Sequence, residues 1–289
     1  MPLATTSSFG LRPTLDLYTK LTRYHFSMVE GMAMKPKVLS LILFFAVLIG
    51  SVQANDVTLS ADLWCPYTCD PLADEKGILV DVVVSIFDNT EHTLDYQLVN
   101  WARAIKTTRG GKYDGLIGAY ISDAPDFVFH DEPIQMSKMC FFVKKDDRWK
   151  YFGLDTLKDR KISVVNAYSY GEKFDGYIVK NHNKGDENII KISGMEITQT
   201  RVEQFDNNKI DTILEDWRVF PYNISNYKKN NEVQGDMEFR NAGCLPGEGL
   251  YIALSPSRDT SKGYAEIINK GLKQLADSGK LNEIISRYE

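Results

Sequence analysis

The segment TRGGKYDGLIGA at residues 108–119 returns in outline 97 positions later as FDNNKIDTILED at 205–216. Each copy runs from a helical stretch through a Gly-Gly or Asn-Asn pair to Lys, an apolar residue, Asp and a short apolar run. Gly110-Gly111 and Asn207-Asn208 suit the left-handed backbone that ends a helix. The runs at 115–119 and 212–214 are too short for helices and read as buried strands. A helix-to-strand step that occurs twice predicts two similar α/β lobes.

The rest of the chain fits that plan. Strands are expected at 57–62, 94–98 and 161–165, with a short helix at 154–159 before the last of these. Helical apolar spacing appears at 170–180, 263–276 and 281–288. The segment 78–87 is ambiguous, because its β-branched run would also serve as a strand. Apolar strands at 140–145 and 250–255 bracket the middle third and are expected to be the crossings between lobes. Strands alternating with helices imply an α/β fold with mainly parallel sheets.

Residues 34–54 have the form of a secretory signal peptide: Lys35 and Lys37, an apolar run from Val38 to Ile49, then small residues at Val52 and Ala54. The alternative is an uncleaved anchor helix, for which the apolar run is short. Met34 is the expected start, and residues 1–33 are expected to be a non-native N-terminal extension. Asn55, not Cys, follows the cleavage point, so no lipid anchor is expected and the periplasm is the expected compartment. The mature chain, 55–289, has 235 residues, with 29 Lys and Arg against 37 Asp and Glu, a net charge of −8. That acidic balance, without a basic tract, argues against nucleic acid and anionic membrane surfaces.

Cys65, Cys69, Cys140 and Cys244 all lie in the mature chain, where an even count in an oxidising compartment favours disulfides with three possible connectivities. The spacing of Cys65 and Cys69 suits a small closed loop, which leaves Cys140 with Cys244. A metal site is the competing reading. His92, His130 and His182 are scattered and no second Cys pair has ligand spacing, so neither metal nor cofactor is expected.

Several motifs together resemble the bacterial extracellular solute-binding proteins of family 3, over essentially all of 55–289. They are Asp62 with Pro66-Tyr67, GILVD at 77–81, WARA at 101–104, KYDGLIGAY at 112–120, SYGEKFDGYI at 169–178, KIDTILED at 209–216, LYIALSP at 250–256 and the ending GLKQLADSGKLNEIISRY. The resemblance implies a type II clamshell: two lobes, each a mainly parallel sheet flanked by helices, joined by two hinge strands. Lobe one would comprise 55–144 and 251–289, and lobe two 145–250. It further implies a monomer that holds a small polar solute, an amino acid or related compound, in the interlobe cleft and delivers it to the permease of an ABC importer. Lobe closure would be the signal the transporter reads.

Family positions then name a candidate site. Asp62, Trp64 and Tyr67 follow the first strand, and Trp101 opens a helix where an aromatic often meets the ligand. Gly118, Tyr120 and Ser122 lie where backbone and hydroxyl groups meet the ligand's carboxylate. The Arg that commonly grips this carboxylate is missing from Ser122-Asp123-Ala124-Pro125, and Arg103 is the residue expected to supply its charge. In lobe two Tyr168, Ser169 and Tyr170 open a helix, with Ser169 as its expected N-cap. Asp216 is expected to hold the ligand's amino group.

Two other readings share this scaffold. One is a dehydratase-like periplasmic enzyme, which needs an acid or base in the cleft; Asp62 and Asp216 are the candidates, since no His is placed there. The other is a sensor subunit that reports ligand occupancy to a membrane receptor. No G-x-S-x-G or phosphate-binding loop is present.

Overall fold

The computed structural model describes residues 55–182, 188–194, 197–230 and 238–288. The expected signal peptide and the preceding extension lie outside the described residues. Among the described residues, eleven strands, numbered in chain order, form two sheets. The first sheet contains β1 (Asn55–Ala61), β2 (His92–Leu98), β3 (Gly115–Ala119), β4 (Val128–Phe129), β5 (Gln135–Ser137) and β11 (Glu248–Leu254), ordered β2-β1-β3-β11-β4 with β5 also on β11. The second contains β6 (Met139–Lys144), β7 (Ile162–Val165), β8 (Ile189–Ile192), β9 (Thr212–Asp216) and β10 (Phe239–Cys244), ordered β10-β6-β9-β7-β8. Around them lie α1 (Ile78–Phe87), α2 (Trp101–Arg109), α3 (Glu172–Asn181), α4 (Ile197–Asp206), α5 (Val219–Asn230), α6 (Ser261–Asp277) and α7 (Lys280–Ser286).

Each sheet has a parallel core built the same way: β1 runs parallel to β2 and β3, and β7 parallel to β8 and β9. The returning strand then joins antiparallel, β11 on β3 and β6 on β9. The sequence repeat supplies the equivalent pieces. Gly111 and Asn208 both take positive φ, 77° and 55°, and turn α2 into β3 and α4 into β9. The Asp that follows has one task in both halves. Asp114 accepts the backbone N–H of Thr58 at 2.9 Å, and Asp211 that of Lys161 at 3.1 Å, so each ties its own strand to the neighbouring one.

The crossings are shorter than the sequence suggests. β6 is hydrogen-bonded on both sides within the second sheet, and β11 on both sides within the first. The chain therefore passes between sheets at Lys138 and again at 245–247, not within 140–145 and 250–255. The first sheet accordingly gives up 139–144, and takes in 248–250, relative to a division after residues 144 and 250. β6 and β11 are apolar because each lies inside a sheet. A bridge exposed between lobes would not need that composition.

The ambiguous segment 78–87 is a helix. Its partly exposed residues Asp81, Val84 and Ser85 recur at helical spacing, while Ile78, Leu79, Val80, Val82, Val83, Ile86 and Phe87 are buried. Burial on most sides explains why β-branched residues are tolerated: packing outweighs propensity. Gly77 starts it at φ 110°, where a Cβ would lie 2.4 Å from the Tyr67 carbonyl oxygen. That close approach lets the carbonyls of Pro66 and Tyr67 accept the N–H groups of Ile78 and Leu79, at 2.8 and 3.0 Å. The loop after β1 is thereby fixed to the start of α1.

Candidate functional site

The anchored loop carries the first wall of a pocket. Trp64 and Thr68 bridge each other, and a disulfide joins Cys65 to Cys69, so the turn after β1 is closed on itself. Asp62 and Trp64 enter the pocket from this turn, Trp101 from the first position of α2, and Gly118 and Tyr120 from the end of β3. Tyr168, from the turn after β7, closes the other side. Ile117, Asp123 and Met139 complete a lining that closes in on a cavity of about 10 Å³, room for about one water molecule. Six residues expected from the sequence therefore meet where strands give way to loops, the position at which open α/β sheets hold ligands.

Three aromatic rings pack edge to face here: Tyr168 stands 6.3 Å from Trp64 and 6.1 Å from Trp101, centroid to centroid. Direct hydrogen bonds join the two sides. Tyr168 Oη donates to Asp62, the Ser169 N–H donates to Asp123 Oδ1 at 3.0 Å, and Trp64 Nε1 donates to Glu215 Oε1 at 2.9 Å. At the rim, Asn100 Nδ2 donates to the Gly194 carbonyl at 3.1 Å.

The remaining expected residues have other duties. Tyr67 is buried behind Trp64, with ring centroids 4.7 Å apart, and does not line the pocket. Arg103 is exposed on α2, because Trp101, Ala104 and Thr108 define the buried face. It does not supply a cation to the pocket. Ser122 is exposed and donates to Glu248 at 3.3 Å. Ser169 does not cap α3: Gly171, at φ 84°, delays the helix start, and the Ser169 hydroxyl donates to Asp175 at 2.8 Å instead. The Tyr170 hydroxyl accepts the Val165 N–H at 2.8 Å and is turned away from the pocket lining.

Asp216 departs furthest from its expected role. Its carboxylate accepts the N–H groups of Arg218 at 2.8 Å and Val219 at 3.3 Å, which caps the start of α5. The other oxygen accepts from Ser137 Oγ at 2.7 Å and the Lys138 N–H at 3.1 Å, at the crossing between sheets. With 0 % exposure, it does not line the pocket and reaches it through Ser137, whose hydroxyl also bonds that of Tyr120 at 2.6 Å. Two acidic residues that the sequence reading did not assign lie at or next to the pocket. Asp123 lines the pocket and accepts the N–H groups of Tyr120 and Ser169. Glu215 accepts from Trp64 and pairs with the buried Arg201.

Burial pushes Asp62 up from 3.8 to about 7, against the hydrogen bond from Tyr168 and with help from the charge of Glu215. Burial also pushes Asp123 up to about 7, against its two backbone N–H bonds and with help from Glu248 and Asp62. Both folded values lie above the unfolded ones, so their contribution to stability is fully present below about pH 4 and is lost as pH rises towards about 7. His130 works in the opposite direction: burial holds it down at about 4, so stability is gained as pH rises from there towards 6.5. The expected result is that an Asp62→Asn, Asp123→Asn double variant loses less stability than the parent on going from about pH 5 to about pH 8. Thermal melts across that range are the check; parallel profiles would mean that both carboxylates ionise near their ordinary values.

The sequence profile of the bacterial extracellular solute-binding proteins, family 3, matches residues 61–289. No curated protein matches the sequence. An ancestral arginine-binding protein bound to arginine superposes with a TM-score of 0.64 at 17% identity, covering 81% of this chain and 98% of that one. An arginine 3rd transport system periplasmic binding protein from Legionella pneumophila gives 0.63 at 19%, covering 82% and 100%. A histidine kinase sensor domain with similarity to periplasmic binding proteins gives 0.64 at 15%, covering 81% and 96%. At such identities the superpositions speak for the fold, which is that of type II periplasmic binding proteins. The family assignment rests on the sequence match across most of the chain: this protein belongs to the bacterial extracellular solute-binding proteins, family 3.

Proposed function

We propose that this chain is a periplasmic, non-catalytic capture protein that closes on a small polar solute and presents it, as a monomer, to the permease of an ABC importer. The observation that carries this reading is the pocket itself: Asp62, Trp64, Trp101 and Tyr120 from one sheet's loops face Tyr168 from the other's. Bonds such as Trp64 to Glu215 give a closed form its own stabilisation, and solute between the lobes would add to it. Residues 34–54 would direct export and be removed.

The test is ligand-dependent stability. A solute that binds only the folded protein raises its stability by about 2.7 kcal/mol at a hundredfold excess over Kd. A thermal-shift panel of amino acids, amines, organic acids and sugars is expected to give such a shift with one chemical class. A flat response across the panel would count against solute capture. The sensor-domain superposition favours a second reading, in which the closed form docks on a membrane receptor. Co-purification of the liganded protein with a permease, or with a receptor, separates the two.

A further inference from the structure

We propose that the pocket selects a small organic cation whose other polar group is neutral, such as an amino amide or amino alcohol, over a zwitterionic amino acid. This rests on the reading of the pocket as the solute site.

The first support is that the seat for a ligand carboxylate is already filled. Backbone N–H groups at the end of β3 and at the turn before α3 are the donors that would receive such a group. Here the Tyr120 and Ser169 N–H groups both donate to Asp123, at 2.9 and 3.0 Å. A side chain of the protein thus occupies the anion position.

Charge points the same way. Among the described residues, the pocket lining contains Asp62 and Asp123 but neither Lys nor Arg. Arg103 faces solvent, and the Arg201 guanidinium is held by Glu215, Ser163 and the Leu214 carbonyl. A ligand carboxylate would therefore enter a buried space beside two like groups, with no Lys or Arg in the lining to offset its lost hydration. A cation meets the reverse: two carboxylates, and the rings of Trp64, Trp101 and Tyr168, whose faces attract positive charge.

Trp101 defines the second part of the ligand. It lines the pocket and is 4 % exposed, yet its Nε1–H is buried without an acceptor. A buried donor left unpaired is costly, and indole can only donate, so the ligand supplies an oxygen acceptor. With no Lys or Arg in the lining, a hydroxyl or amide oxygen suits that place better than a carboxylate.

Calorimetric titration of the purified protein at about pH 8 tests this, with lysinamide, argininamide and choline set against lysine, arginine and glutamate. The expected result is at least one cation binding about tenfold or more tighter than the corresponding amino acid, and at least about tenfold weaker to Asp62→Asn. Choline keeps its charge at every pH, so its binding is expected to weaken towards about pH 5.5 as Asp62 and Asp123, faced by Tyr168, Glu215, Glu248 and Tyr96, take up protons. Arg103→Ala is expected to leave all affinities unchanged. Tighter binding of the free amino acid, or of glutamate, overturns the cation class and leaves solute capture standing. Binding of no cation while another solute binds has the same meaning, and binding of nothing across the wider panel overturns both readings.

Discussion

Glu215→Ala is expected to destabilise the protein by about 3–5 kcal/mol, lowering its melting temperature by roughly 10 °C. Arg201 is 1 % exposed, and among the described residues its carboxylate partner is Glu215. Ser163 and the carbonyl of Leu214 hold the remaining guanidinium nitrogens, so the group cannot swing out to water without losing them all. Removing Glu215 leaves a buried positive charge uncompensated, and that costs far more than the pair contributes over a well-packed apolar substitute. The same truncation removes the acceptor of Trp64 Nε1 and so one bond across the pocket. An Arg201→Met, Glu215→Leu double variant separates the effects: it is expected to recover most of the stability but not the bond to Trp64. Chemical denaturation of both variants is the check, and a loss below about 1 kcal/mol for Glu215→Ala would show that the charge finds water.

Glu215 also shows where sequence reading stops. The strand β9 is buried along its whole length, so the alternation that tells an inward from an outward side chain is absent. Nothing local distinguishes Glu215 from Asp216, and the family position favoured Asp216. Its actual role had a local signal: an Asp two and three residues before the N–H groups it caps, at the start of α5. Arg103 was legible too, since the spacing of Trp101, Ala104 and Thr108 already turns it to solvent. Asp123 was not, because its meaning depends on meeting the Ser169 N–H, 46 residues further along the chain. By contrast, the repeat carried the fold. Gly111, Asn208, Asp114 and Asp211 act through neighbouring backbone, and local patterns encode local backbone well. The pocket residues Asp62, Trp64, Trp101, Gly118, Tyr120 and Tyr168 came from the family resemblance, which marks positions at strand and helix ends that local pattern alone does not single out.

The two disulfides are expected to fail differently. Cys140–Cys244 spans 104 residues and joins β6 to β10, the strands next to both passages between the sheets. Beside it the Leu245 N–H bonds the Met139 carbonyl at 2.8 Å, so the two passages leave the second sheet side by side. Constraint of so long a loop in the unfolded chain contributes about 4–5 kcal/mol, and a Cys140→Ala, Cys244→Ala variant should lose most of that. Cys65–Cys69 spans only 4 residues, for which the same relation gives about 2 kcal/mol. Its loop, however, holds Trp64 in the pocket and follows directly on Asp62. Removing the short bridge should therefore weaken solute affinity more than stability, whereas removing the long one should lower stability with affinity nearly intact. Melting curves and titrations on the two double variants decide this. Equal losses in both measurements would mean that pocket and fold do not respond separately, and that the turn after β1 keeps its place without the short bridge.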